Sequence, residues 1–252
     1  MKRPFIMVAP NGARRGKADH PALPVSTDEL VQTAAACHDA GAQGFHLHVR
    51  DDDGQHSLDP GRYRETLDEL ARAVPDLRLQ ITTESGGRFD VATQLATLRA
   101  VRPGWASVAA REIARDPDLA DAAYGTCAEQ RTEVQHIVYE PADLALLAHW
   151  RARGVVREDQ TSVIFVLGRY SPPRPARPSD LAAFGPVPSW AGPWMLCAFG
   201  PREHDCLIAA ARAGGDLRVG FENSLQDGQK SPHKDNAASV AALVDRLERI
   251  TA

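Results

Sequence analysis

Strand-like apolar runs and helix-like amphipathic segments alternate eight times along this chain without a break, and that alternation limits its fold more than any other feature. The strand-like runs are Phe5–Ala9, Gly44–Val49, Leu77–Thr83, Trp105–Ala109, Glu133–Tyr139, Ser162–Leu167, Trp194–Phe199 and Leu217–Phe221. The helix-like segments are Leu30–Ala40, Pro60–Ala73, Val91–Ala100, Pro117–Glu129, Pro141–Arg153, a short one near Ser179–Phe184, Glu203–Ala213 and Asn236–Ile250. Local signals punctuate them: Pro10-Asn11-Gly12 is a turn, Ser26 and Glu29 form a capping box, and Pro60 suits a first helical turn. Strand–helix–strand order forces parallel pairing, and eight such units close into an α/β (β/α)8 barrel, a TIM barrel. A single domain over residues 1–252 is expected, since 252 residues match the length of about 250 usual for one such barrel. The structural alternative, a doubly wound open sheet, lacks its Gly-rich dinucleotide turn after the first strand. The proline-rich stretch Ser171–Pro178 reads as a loop over the barrel mouth.

Charge and hydropathy narrow the function classes. A formal net charge of −4 gives no electrostatic case for nucleic acid or an anionic membrane surface. The apolar run after the two N-terminal basic residues spans only Pro4 to Pro10, too short for a signal-peptide core, and no run reaches the roughly 20 residues of a membrane helix. Both points favour the cytoplasm. Cys37, Cys127, Cys197 and Cys206 form no C-x-x-C pair and read as reduced, mostly buried thiols.

The sharpest local motif is Phe45-His46-Leu47-His48-Val49. Side chains alternate across a strand, so His46 and His48 share the face opposite Phe45, Leu47 and Val49. The helix-facing side of a barrel strand must be apolar. Both imidazoles therefore face inward at the C-terminal end of strand two, where barrel active sites lie. Two readings stay open for the pair alone: half a metal site, or hydrogen-bonded core histidines. Arg218-Val219-Gly220-Phe221-Glu222-Asn223 supplies a third ligand, because alternation puts Glu222 on the inner face at the end of strand eight. Two His and one carboxylate suit a divalent metal, zinc first with Co2+ or Mn2+ possible, and leave a coordination position open. Glu222 could instead ion-pair with Arg218, or Arg218 could sit deeper and grip a substrate carboxylate. Other strand ends carry Thr82, Thr83, Ser107, Arg111-Glu112, Gln135, His136, Tyr139-Glu140, Gly168-Arg169-Tyr170 and Gly200-Pro201-Arg202, each a candidate contact. Gly200 before a helix is a candidate anion cradle, and Trp150, Trp190 and Trp194 are candidates for subunit contacts.

The same segments resemble the β-keto acid cleavage enzymes, typified by 3-keto-5-aminohexanoate cleavage enzyme. The resemblance runs through Ala9-Pro10-Asn11-Gly12-Ala13, Asp19-His20-Pro21-Ala22-Leu23-Pro24, His46-Leu47-His48-Val49-Arg50-Asp51, Gln80-Ile81-Thr82-Thr83, Phe165-Val166-Leu167-Gly168 and Gly220-Phe221-Glu222-Asn223. It implies a zinc-dependent homo-oligomeric barrel, a tetramer or dimer, in which a β-keto acid and acetyl-CoA give acetoacetate and a new acyl-CoA. It implies that His46, His48 and Glu222 hold the metal, that Arg218 engages the substrate carboxylate and assists proton abstraction, and that Thr82 and Ser107 contact the keto acid. The chain departs from the family pattern at three places: Arg14 stands where the family carries Glu, the family carries a Glu near Gln135, and Asn223 stands where it carries Asp. Asn cannot act as a carboxylate base, so Glu112, Glu140 or Arg218 are the candidates for that role, and Arg14 near the pocket points to a neutral or anionic keto acid. Two other readings compete. A metal-dependent barrel hydrolase would add His136 from strand five to the ligands, and a catalytically silent metal-binding barrel would account for Asn223 and Gln135.

Overall fold

In the computed structural model, which describes residues 3–170 and 172–251, eight parallel strands close into a barrel. Met1, Lys2 and Ser171, part of the N-terminal and proline-rich segments read above, lie outside the described residues. The barrel strands are β1 (Ile6–Val8), β2 (Gly44–Leu47), β5 (Arg78–Thr82), β6 (Trp105–Ala109), β7 (Glu133–Val138), β8 (Ser162–Leu167), β9 (Trp194–Ala198) and β10 (Asp216–Val219). Each pairs with the next in chain order, and β1 closes the ring on β10 with Met7 opposite Arg218. The helices α1 (Thr27–Asp39), α2 (Pro60–Ala73), α3 (Val91–Val101), α4 (Ala110–Ile113), α5 (Ala120–Gln130), α6 (Pro141–Ala152), α7 (Glu203–Arg212) and α8 (Asn236–Thr251) complete the units. Among the described residues, no helix is long and apolar enough to cross a membrane.

The elements start and stop where local chemistry requires. Ser26 accepts from the Glu29 amide while Glu29 reaches back to Ser26, the reciprocal pair that opens α1. Asp59 caps α2, with Pro60 at its first position. Two details depart from the sequence expectation. Strand two ends at Leu47; Val49–Arg50 (β3) instead pairs antiparallel with His56–Ser57 (β4), so the acidic turn Asp51–Gly54 is the tip of a small hairpin. The segment expected as one helix from Pro117 begins with a 3-10 turn, Pro117–Leu119, and α4 precedes it unforeseen. After β8 the helical layer is only a 3-10 stretch, Pro178–Phe184.

Alternation divides the strand residues between two cores. Val8, Phe45, Leu47, Ile81, Ala106, Val108, Val134 and Phe165 pack outward against the helices. Met7, Trp105, Ala109, Ile137, Ile164, Val166, Met195 and Cys197 fill the interior. Burying a side chain such as Phe45 or Leu47 contributes roughly 1.5–3 kcal/mol, and exposing them would bury the histidines on the wrong face. The tryptophans read as subunit contacts are used within the protomer. Trp150 is buried against Tyr124, and Trp190 and Trp194 are half-buried against His136 and Phe165.

Candidate active site

His46 and His48 point into the barrel, and their neighbours fix how they do so. Register places His46 beside Gln80 on β5, and His46 Nδ1 lies 2.6 Å from Gln80 Oε1. Gln80 Nε2 in turn donates to Gln135 Oε1 at 3.1 Å. An amide oxygen can only accept, so Nδ1 of His46 carries the proton and Nε2 keeps its lone pair. That Nε2 faces His48 Nε2 at 3.1 Å. Burial, reinforced by the Arg218 cation, holds the His46 imidazole well below its usual pKa, hence neutral.

Glu222 sits in the turn after β10, and four parts of the chain clamp that turn. Glu203 accepts from the Gly220 amide (3.1 Å), Asn236 from the Phe221 amide (2.9 Å) and the Ala9 carbonyl from the Glu222 amide (3.0 Å). Tyr170 donates its hydroxyl to the Glu222 carbonyl. Gly220 has φ +135°, and a Cβ there would stand 2.6 Å from the Ala9 oxygen. Gly12, at φ +62°, lies so close to Glu222 that a Cβ would meet its Cγ at 2.5 Å. The neighbouring Asn11 amide donates to the carbonyls of His48 and Pro24, and Arg50 donates to those of Gly12 and Arg15. The Pro-Asn-Gly turn, the H-x-H strand and the Gly-Phe-Glu turn therefore lock together.

The two readings of Glu222 coexist, one on each oxygen. Oε1 accepts from Arg218 Nη2 at 2.9 Å, while Oε2 lies 3.3 Å from His48 Nε2 and 3.6 Å from His46 Nε2. Burial alone would raise this carboxyl, but the Arg218 guanidinium outweighs it and holds the pKa well below the usual carboxylate range. The donor set fits a divalent cation. Ligands about 2.0–2.1 Å from a tetrahedral zinc lie about 3.3 Å from one another, and the three separations here are 3.1, 3.3 and 3.6 Å.

Above them opens a cleft of about 530 Å3 at the C-terminal mouth, lined by Arg14, Glu84, Arg111, Glu112, Tyr139, Glu140, Tyr170, Arg169, Arg174, Arg218 and Glu222 among others. Its carboxylates differ in freedom. Glu112 accepts from the Ser85 amide (2.9 Å), the Ser85 hydroxyl (2.8 Å) and Gln94 Nε2 (2.8 Å). Glu140 pairs with Arg111 at 3.1 Å. Glu84 has no side-chain hydrogen bond or ion pair among the described residues, while its backbone is pinned by Thr82 Oγ1 (2.9 Å) and His56 Nε2 (2.7 Å). Burial, with Glu222 and Glu112 adding to it, raises the Glu84 pKa against the opposing pull of His48 and Arg14. Among the cations, Arg14, Arg169 and Arg174 have no carboxylate partner among the described residues. Arg218 spends Nη2 on Glu222 and on Cys197 Sγ at 3.2 Å, and its Nε is buried without a partner among the described residues.

The remaining sequence candidates are placed unevenly. Thr82 and Ser107 are register partners on β5 and β6, close beneath the cleft but not lining it; the Ser107 hydroxyl is buried without a partner among the described residues. Thr83 spends its hydroxyl on the Ser107 carbonyl at 2.9 Å. Gln135, expected at the substrate, lies on the far side of Gln80 and touches Met195 Sδ at 3.8 Å, which makes it a support for His46. Asn223 is fully buried, does not line the cleft, and has both amide atoms unpartnered among the described residues. His136 faces the helices, its Nε2 3.0 Å from the Gln160 carbonyl and its ring against Tyr124, so it cannot join His46 and His48. Gly200, the candidate anion cradle, is a tight turn whose carbonyl accepts from the Glu203 amide that opens α7. Sequence reasoning missed Gln80, Arg50 and Glu84 as site residues. Gln80 and Arg50 were visible only as members of motifs.

A family model described as beta-keto acid cleavage enzyme matches residues 4–252. Among curated proteins, the chain is 27% identical to the 3-oxoadipate:acetyl-CoA acetyltransferase of Cupriavidus necator, over 97% of this chain and 89% of that protein. It is 26% identical to the 3-keto-5-aminohexanoate cleavage enzyme of Acetoanaerobium sticklandii, over 97% and 91%. Among solved structures, a ternary complex of ObcA with a C4-CoA adduct and oxalate superposes with a TM-score of 0.73 at 16% identity, over 92% of this chain but only 65% of that one. The type I 3-dehydroquinate dehydratase of Clostridium difficile superposes at 0.61 and 11% identity, over 99% and 94%. Likeness at these identities speaks for the barrel fold alone.

Proposed function

The chain belongs to the β-keto acid cleavage enzyme family, and from that premise we propose that it condenses a β-keto acid with acetyl-CoA, giving acetoacetate and a new acyl-CoA, with a divalent cation, zinc first, held by His46, His48 and Glu222. The observation that carries this reading is the convergence of three buried ligand atoms directly under the cleft at the C-terminal mouth of the barrel. A cation bound there supplies Lewis-acid stabilisation of negative charge on a substrate oxygen. The relatives named for acetyl-CoA reactions support the choice of co-substrate.

The chain's own residues have separable tasks in this proposal. Arg218 lines the cleft with Nη1 uncommitted among the described residues, a charged N–H donor suited to a substrate carboxylate oxygen. Glu222 fixes the guanidinium by holding Nη2. Thr82 and Ser107, just beneath, contact the keto acid. Arg14, with Arg169 and Arg174, gives the mouth a positive rim that favours a keto acid whose distal group is neutral or anionic. The cytoplasm suits four buried free thiols, and assembly as a homo-oligomer, dimer or tetramer, follows from the family resemblance. The hydrolase reading loses its strand-five ligand because His136 faces outward. The silent-barrel reading loses force because neither Asn223 nor Gln135 lines the cleft.

The test is product analysis by mass spectrometry after mixing purified protein, acetyl-CoA and a panel of β-keto acids. Acetoacetate with a matching new acyl-CoA supports the proposal. Bound metal without thioester turnover over the whole panel would overturn it in favour of the silent barrel, and ester or amide hydrolysis would favour the hydrolase.

A further inference from the structure

A carbon–carbon exchange of this kind begins by removing a proton from C2 of the keto acid, and that needs a base in the cleft. Asn223 cannot serve: an amide does not accept a proton at neutral pH, and this one does not line the cleft. Arg218 is a cation held by Glu222. Each carboxylate that the sequence offered as a substitute is occupied. Glu112 anchors Ser85 and Gln94 through three hydrogen bonds, and Glu140 is ion-paired with Arg111, whose guanidinium also grips Asp143.

We propose that Glu84 is the general base of the reaction. Among the described residues it is the one cleft-lining carboxylate whose side chain has no hydrogen-bond or ion-pair partner. Its backbone is nevertheless fixed on both sides, by the Thr82 hydroxyl on its amide and by His56 on its carbonyl, and Ser85 beyond it is anchored to Glu112. An immobile backbone with an uncommitted carboxylate is what a proton acceptor requires, since a base must be both positioned and free to take the proton. Glu84 also shares the cleft wall with Glu222 and Arg218, where the reacting carbons would lie under the proposed function on which this assignment rests.

The step balances without any further reagent. The Glu84 carboxylate takes the C2 proton, and the C–H electron pair delocalises onto the keto oxygen. C2 then bonds to the acetyl carbonyl carbon and CoA thiolate departs. The thiolate adds to the original keto carbon, the bond from that carbon to C2 breaks with its electron pair left on C2, and Glu84 returns the proton there. Acetoacetate and the new acyl-CoA leave with Glu84 again ionised.

Acetoacetate serves as the probe, because every substrate of the proposed reaction yields it. Its C2 protons are followed by NMR in D2O without acetyl-CoA. Wild type should accelerate exchange over the buffer rate, and Glu84→Gln should lose about 10²–10⁴-fold of that acceleration. Glu84→Ala should regain part of it on adding formate, a small carboxylate that fits the vacated space. Metal content and melting temperature of both variants should match wild type, since the carboxyl holds nothing in place. Full exchange in Glu84→Gln overturns Glu84 as base while leaving the proposed function standing. Loss of metal or of fold in both variants also overturns it, because the carboxyl would then be structural. Absence of exchange in wild type overturns the proposed function together with the base.

Discussion

Gln80 Oε1 lies 2.6 Å from His46 Nδ1, and this contact decides which imidazole nitrogen can bind a cation. The amide accepts the Nδ1 proton and is itself held by Gln135 at 3.1 Å, so the Nε2 lone pair is aimed at His48 and Glu222. Partners of this kind raise ligand affinity about 10–100-fold. Gln80→Leu, similar in size but without the acceptor, should weaken zinc binding by that factor, measured by competition with a chromophoric chelator. Unchanged affinity would mean that the amide does not orient the ring.

Gly220 allows the chain to bring Glu222 under the cleft. At φ +135°, with the Ala9 carbonyl 2.6 Å and Asn236 Oδ1 2.9 Å from where a Cβ would stand, alanine cannot be accommodated without moving the turn. Gly220→Ala should cost about 1–3 kcal/mol of stability in urea unfolding and should weaken metal binding at the same time. A stable Gly220→Ala protein with full metal affinity would contradict the account of the turn.

Arg14 lines the cleft, is exposed, and has no carboxylate partner among the described residues. Arg14→Glu should shift relative kcat/KM toward keto acids with a distal ammonium group by about tenfold, the size of a rim charge effect. A wild-type preference for the cationic keto acid would count against the positive rim as a selector.

Acid stability should report the buried neutral histidines, His136 above all, because it lies away from the cleft. Burial lowers its pKa from 6.5 to about 4. The folded-state value is below the unfolded one, so as pH falls the unfolded chain takes up a proton that the native protein refuses. Stability conferred by this residue is complete above about pH 6.5 and is lost down to about pH 4, at roughly 1.4 kcal/mol per pH unit. His136→Gln should flatten the pH dependence of the urea midpoint in that window, and an identical slope would show that His136 does not titrate as described.

Much of this was legible in the chain. Eight strand positions follow from apolar runs, and the inward pair His46 and His48 follows from period-two alternation between Phe45, Leu47 and Val49. Glu222 was legible as the inner-face residue at the end of the last strand. Alternation gives the face of a residue but not its height in the barrel, which is why Gln135 read as a substrate contact when it supports His46 from below. Gln135 and His136 are both polar, so pattern alone could not say which faces the helices. Glu84 follows a strand in a Ser-Gly-Gly turn, where no periodicity aims a side chain, and its freedom appears only once the partners of Glu112 and Glu140 are known. The β3–β4 hairpin has two-residue strands, too short for any repeat to register.

The most direct test of the account is the zinc content of the purified protein after equilibration with Zn2+ and gel filtration, compared between wild type and His46→Ala. The expected result is about one zinc per chain in wild type and loss of that ion in His46→Ala, with its melting profile still cooperative. Wild type without zinc, or His46→Ala with full occupancy, would contradict the claim that His46, His48 and Glu222 form a metal centre.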